Sequence, residues 1–192
     1  MSGSLCIWNR QRTVRVNTRH LRRLTRTLLR DLFKTSNFDL GIYLIRATEM
    51  ARLNETFLRH KGPTDVITFD YKVDVTASSG RPLRGNGARR NRLAAALQTL
   101  HGEIFICPEQ AVTQARRFHT RWQSELGRYV IHALLHLNGF DDLRPGARRQ
   151  MKRAEDGLLR ALARRVNLSE LAKHRPAARR AFPNRPAADR KS

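Results

Sequence analysis

An α+β domain, a small mixed sheet of about four strands with helices packed on it, is the fold this sequence predicts. Three observations carry the expectation. The 192 residues bound the chain to one compact domain plus a tail, because single domains run to roughly 100–200 residues. Hydrophobic residues make up 40% of the chain, enough to build a buried core. Short apolar runs rich in β-branched and aromatic residues alternate with segments whose apolar residues recur at helical spacing.

The elements follow in order. Residues 5–16 combine an apolar run with alternation at Val14 and Val16, which predicts an N-terminal strand containing Cys6. Thr18 is the expected N-cap of a helix whose Leu21, Leu24, Leu28 and Leu32 form one face, with arginines on the other, ending near Lys34. Asp39–Ile45 reads as a strand. Thr48 is expected to cap a second helix that turns Met50, Leu53 and Phe57 inward and stops before Gly62-Pro63. Val66–Tyr71 is a third strand, with one face in the core and no aromatic platform of the kind that stacks RNA bases. Gly102–Cys107 is a fourth. Pro108 suits the first turn of the next helix, where its missing N–H is no loss. Thr120 and Gln123 have capping-box spacing for a helix through Leu137 that Gly139 terminates, and a last helix covers about 147–166. Residues 72–98 read as a long basic loop and 169–192 as a disordered basic tail, leaving 1–168 as the domain.

Charge narrows the partner. The chain holds 38 Lys and Arg against 16 Asp and Glu, a formal net charge of +22, and six of the 38 are lysine. Such a chain attracts polyanions, and the planar guanidinium fork suits phosphate oxygens, although an arginine-rich genome would produce the same bias. Cys6 and Cys107 both lie in apolar runs and read as buried thiols in a reducing compartment. No apolar run reaches the roughly 18 residues of a membrane helix, and the N-terminus lacks the pattern of a signal peptide, so the expectation is a soluble, cytoplasmic protein with no membrane partner.

The chemistry concentrates in His132-Ala-Leu-Leu-His136-Leu-Asn-Gly139-Phe-Asp141-Asp142. Histidines at i and i+4 project from one helix face, where their ring nitrogens converge on a single cation. Gly139 lets the chain fold back, so that Asp142, six residues after His136, approaches the same ion from the loop. The pair alone also fits two buried, hydrogen-bonded imidazoles; the glycine break and the carboxylates behind it favour the metal. The spacing is shared with metzincin proteases, but those carry a glutamate after the first histidine as general base, and here that position is Ala133. Glu125 and Tyr129 lie upstream on the same helix face, in the core or as support for a ligand histidine.

Three segments in order carry a resemblance to a known family: Pro63-Thr-Asp65-Val-Ile-Thr-Phe69, Gly102-Glu-Ile-Phe-Ile106, and His132 to Asp142. The chain resembles the YbeY family of metal-dependent single-strand endoribonucleases, the rRNA maturation factors, over about residues 5–166. The resemblance supports the α+β class with the ligand-bearing helix beside the sheet. It implies a phosphodiester hydrolase that uses one Zn²⁺, or another divalent metal, held by His132, His136 and Asp142, with Asp141 as the alternative third ligand. It implies single-stranded RNA as substrate, specifically 16S ribosomal RNA of the small subunit, and work in ribosome biogenesis. Two positions depart from the family. Asp142 stands where the family has a third histidine, and a carboxylate there makes the ion's water less acidic. Leu58 stands where the family has an arginine four residues after Asn54, which leaves Arg59, His60 and Lys61 as candidates to hold the substrate phosphate. Thr64 and Asp65 are expected to fix the turn into the strand. The same departures and the positive charge also fit an rRNA-binding assembly factor that keeps the fold and has lost catalysis.

Overall fold

The computed structural model describes residues 3–71 and 100–173. The basic loop expected at 72–98 and most of the basic tail lie outside these residues.

Strands β1 (Ser4–Asn9), β2 (Phe38–Leu44), β3 (Val66–Asp70) and β4 (Leu100–Ile106) form one mixed sheet in the order β1-β2-β4-β3. The first three neighbours run parallel, and β3 closes the far edge antiparallel to β4. Strict alternation sets the register: Phe38, Leu40, Ile42 and Leu44 all turn to one face, beside Ile104 and Ile106, and each is at most 2% exposed. Helices α1 (Thr18–Thr27) and α4 (Trp122–Leu137) supply Leu21, Leu24, Leu126, Val130 and Leu134 to the same core, all fully buried. Each such side chain contributes roughly 1.5–3 kcal/mol of burial. Helix α2 (Ala47–Leu53) covers part of the other face through Met50, with Ile45, Ile67 and Cys107. Helices α3 (Pro108–Arg117) and α5 (Pro145–Ala163) complete the layer, each with proline in its first turn. The observed class is α+β with a four-stranded mixed sheet, as expected. Among the described residues no helix is long and apolar enough to cross a membrane.

Local chemistry overrides the expected boundaries at several points. The N-terminal strand ends at Asn9 rather than at 16, because Val16 pairs with Ala172 from the far end of the chain. The same contact holds a 3₁₀ turn, Leu168–Leu171, with Leu171 fully buried, so residues 169–172 belong to the packed domain and not to the tail. Asn17, not Thr18, caps α1, its side chain accepting from the His20 N–H at 3.2 Å. Thr120 stands one residue too early to cap α4, whose N-cap is Arg121; its hydroxyl donates to Glu125 at 2.7 Å instead.

Helices α1 and α2 both pass into π-helical turns, Leu28–Leu32 and Asn54–Leu58. The second turn shifts the helical phase. Asn54 is buried in place of Phe57, which is 56% exposed and lies edge-on to Phe69. Cys6 is exposed, since Leu5 takes the inward position beside it, while Cys107 is buried and burial pushes its thiol pKa up; both are free thiols. The outward sheet face carries a ring stack that the sequence pattern does not display. Trp8, Tyr43 and Phe105 sit in one register row and stack at 4.7 and 4.8 Å, and the hydroxyls of Tyr43 and Tyr71 donate to Glu103. Strand-to-strand pairing brings these rings together across a separation in sequence that no short pattern displays.

Two glycines test the packing with opposite signs. A Cβ on Gly102 would run into the Phe69 carbonyl of the paired strand and lie 3.0 Å from Leu137, so Gly102→Ala should destabilise the protein by about 1–3 kcal/mol in urea unfolding. A Cβ on Gly127 would meet Leu159 and Leu168 at an ordinary 3.7 Å, so Gly127→Ala within α4 should stabilise it by about 0.5–1 kcal/mol. Equal effects at the two positions would contradict this packing.

Candidate metal centre

Helix α4 carries His132 and His136 on one face near its C-terminal end, and their Nε2 atoms stand 3.1 Å apart. Helix geometry brings the rings together; their surroundings orient them. Nδ1 of His132 faces the Glu155 carboxylate at 3.0 Å, and Nδ1 of His136 faces the Phe140 carbonyl at 3.0 Å. Both partners only accept hydrogen bonds, so each Nδ1 carries the proton and each Nε2 presents a lone pair inward. Two lone pairs at that distance repel unless a cation or a proton lies between them.

The turn after the helix supplies the third group. Gly139 adopts φ +86°, a left-handed conformation that costs glycine little, and its N–H bonds back to the His136 carbonyl at 2.8 Å. The chain then reverses, bringing Asp142 to 4.0 Å from His132 Nε2. One ligand atom each from His132, His136 and Asp142 lies within 4.8 Å of the other two. The adjacent Asp141 is engaged elsewhere, its carboxylate accepting from the Leu143 N–H at 2.9 Å. That distribution favours Asp142 over Asp141 as the third donor.

The donor set fits a divalent metal ion. Two imidazoles and a carboxylate on three corners leave a fourth corner open, the arrangement of hydrolytic zinc sites. Two nitrogens on a tetrahedral ion at roughly 2.0–2.1 Å stand about 3.3 Å apart, close to the 3.1 Å observed.

Glu155 was not among the residues the sequence singled out. It is 5% exposed on α5, where its oxygens receive Arg128 at 2.6 Å and Lys152 at 3.1 Å in addition to the His132 ring. Burial opposes its charge, yet the His132, Arg128 and Lys152 hydrogen bonds outweigh that and hold its pKa down to about 2. Burial likewise opposes a charged His132, but the hydrogen bond and charge of Glu155 prevail and raise its pKa. The available signal was an acid one helical turn after Met151, on the core-facing row that continues to Leu162. Glu125 and Tyr129 do not fill this role: Glu125 is bonded to Thr120 and lies near Arg128, and the buried Tyr129 hydroxyl makes no hydrogen bond to either histidine.

The phosphate candidates Arg59, His60 and Lys61 are exposed on the turn after α2, with Arg59 at φ +56°, and among the described residues no hydrogen bond or ion pair joins them to His132, His136 or Asp142. The buried Asn54 amide donates to the Gly62 carbonyl at 2.8 Å and pins this turn. Asp65 accepts from the Thr64 hydroxyl and the Val66 N–H, fixing the entry to β3, and its charge reaches His132.

The family model described as Endoribonuclease YbeY matches residues 6–163. A relative named "Endoribonuclease YbeY" from Chlorobium luteolum is 36% identical over 113 residues, a match covering 59% of this chain and 66% of that protein, just under two thirds of its length. One of the same name from Chlamydia trachomatis is 28% identical over 174 residues, covering 90% of this chain and 91% of the relative. The solution structure of TM1509 from Thermotoga maritima shares the fold with a TM-score of 0.55 at 22% identity, over 91% of this chain and 99% of that one.

Substitutions separate the donors from their support. Glu155→Gln keeps the side-chain shape but removes the charge facing His132, and should weaken zinc binding roughly 10–100-fold in competition titrations with a chromogenic chelator. Asp142→Asn should weaken it at least as far, whereas Asp141→Asn should leave it nearly unchanged. A larger loss from Asp141→Asn than from Asp142→Asn would reverse the assignment of the third donor.

Proposed function

The chain belongs to the endoribonuclease YbeY family, and from that premise we propose that it is a zinc-dependent endoribonuclease hydrolysing phosphodiester bonds of single-stranded RNA. The observation that carries the reading is the inward-facing pair of Nε2 atoms with Asp142 beside them, a donor set that fits a hydrolytic ion. When bound, zinc makes a water molecule acidic near neutral pH and draws off the negative charge that grows on the phosphoryl oxygens.

The chain's own residues do the rest. His132, His136 and Asp142 hold the ion, and Glu155 and the Phe140 carbonyl lock the two rings in the tautomer that binding requires. Arg59, His60 and Lys61, on the turn pinned by Asn54, hold the substrate phosphate. Thr64 and Asp65 set the position of that turn relative to β3. Ala133 stands where metal-dependent peptidases of this spacing carry a general-base glutamate, and nothing favours peptide hydrolysis. The convergent donors likewise support catalysis over a binding factor that has lost it. The family name and the net charge of +22 support RNA as the substrate, and the resemblance in sequence implies ribosomal RNA of the small subunit, in 16S maturation and ribosome biogenesis in the cytoplasm.

Cleavage of a labelled single-stranded RNA by the native protein and His136→Ala, purified side by side with zinc added or chelated, tests the proposal. Only the native protein with metal should cut, and the variant controls for contaminating ribonuclease. Equal cleavage by metal-free protein or by His136→Ala would overturn it.

A further inference from the structure

Away from the metal centre, the corner where α3 turns into α4 exposes arginines, while Glu125 beside it is buried and bonded to the Thr120 hydroxyl. A cavity of about 440 Å³ is lined by Arg121, Arg164 and Arg165, and a neighbouring one of about 540 Å³ by Arg116, Arg121 and Trp122. Arg121 and Gln123 are common to both, and no acidic side chain lines either. Arg165 reaches Asp31 at 3.6 Å, but the guanidinium groups of Arg116, Arg121 and Arg164 have no acidic partner among the described residues. Phe118, 60% exposed, adds an unburied ring on the same turn, with the Arg117 guanidinium 5.3 Å from its centroid. The ring is more than half exposed and so offers surface to a stacking partner.

Unpaired guanidinium groups beside an exposed aromatic ring are the chemistry that recognises single-stranded nucleic acid, phosphates on the arginines and a base on the ring. The aromatic row on the outward sheet face lacks this complement, because Glu103 and Asp39 stand among or below its rings and repel phosphate. The corner also lies at a useful distance from the chemistry. Arg121 precedes His132 by eleven positions, roughly 16 Å along α4 at about 1.5 Å per residue. That span is about five nucleotides of a stacked strand at roughly 3.4 Å each.

Resting on the reading of this chain as an RNA-cleaving enzyme, we infer that the α3–α4 corner, with the C-terminal end of α5 beside it, is an anchoring surface for single-stranded RNA. It holds the strand several nucleotides from the metal centre through Arg116, Arg121 and Arg164. RNA bound there is kept near the site independently of the groups that cut it.

The test measures binding by the full-length chain carrying His136→Ala, so that bound RNA stays intact, and repeats it with His136 present under chelation. The probe is a labelled oligouridine of about 20 nucleotides, titrated between about 50 and 200 mM salt. Arg116→Ala/Arg121→Ala/Arg164→Ala should flatten the slope of log K against log salt by about 2, three phosphates at about 0.7 each. Arg22→Ala/Arg23→Ala/Arg26→Ala, which removes equal charge from exposed positions of α1, should change the slope by less than half as much. All six side chains are exposed, and thermal melts of both triples, expected to match the parent protein, check that folding is intact. Equal losses in the two triples, or an unchanged slope in the corner triple, would overturn the inference. Binding is read without cleavage, so a failure of the enzyme reading shows separately, as an absence of cutting by the native protein.

Discussion

A carboxylate buried to 5% exposure is expensive to hold unless cations and hydrogen-bond donors surround it, and Glu155 is surrounded on three sides. Arg128 and His132 reach it from α4, Lys152 from its own helix. The consequence is mechanical as well as electrostatic. Helix α5 cannot slide along α4 without stranding a charge in the interior, so one network fixes both the packing of the two helices and the direction of the His132 ring. Asp156, bonded to the same Arg128 at 2.7 Å, extends the clamp toward solvent.

The sheet places that helix pair. Its inward face is a continuous apolar floor of Leu40, Ile42, Leu44, Ile104 and Ile106, on which α4 lies through Leu126, Val130, Leu134 and Leu137. The rigid floor leaves the ligand face of α4 turned away from the sheet toward α5 and the turn at Gly139. Backbone conformation does the remaining work: a left-handed glycine reverses the chain so that Asp142 returns to the histidines, and the π-helical turn after α2 buries Asn54, which pins the loop of Arg59, His60 and Lys61. Local irregularities thus serve the site while the regular elements hold it.

How much of this was legible in the sequence depended on how local the cause was. The spacing of His132, His136, Gly139 and Asp142 lies within eleven consecutive residues, and helix periodicity plus one turn is enough to bring them together. The strands were legible because alternation is a short-range signal, although their ends were not: Val16 pairs with Ala172, a partner from the other end of the chain. Glu155 stayed hidden for the same reason, since a polar residue on a core-facing row announces a buried partner without naming it, and His132 lies 23 positions away. Phe57 was misplaced because a π-helical turn breaks the 3.6-residue phase on which the inward assignment relied. The stacked row of Trp8, Tyr43 and Phe105 depends on the pairing of three strands and appears only once the register is known.

Glu155 and the Phe140 carbonyl hold both rings with Nδ1 protonated and Nε2 turned inward. Long-range nitrogen–proton correlation spectra of the ¹⁵N-labelled protein with zinc bound measure this directly. They should show His132 and His136 both as the Nδ1–H tautomer, with the zinc-induced shift on Nε2. Zinc on Nδ1 of His132, or an unshifted His136 ring, would contradict the account.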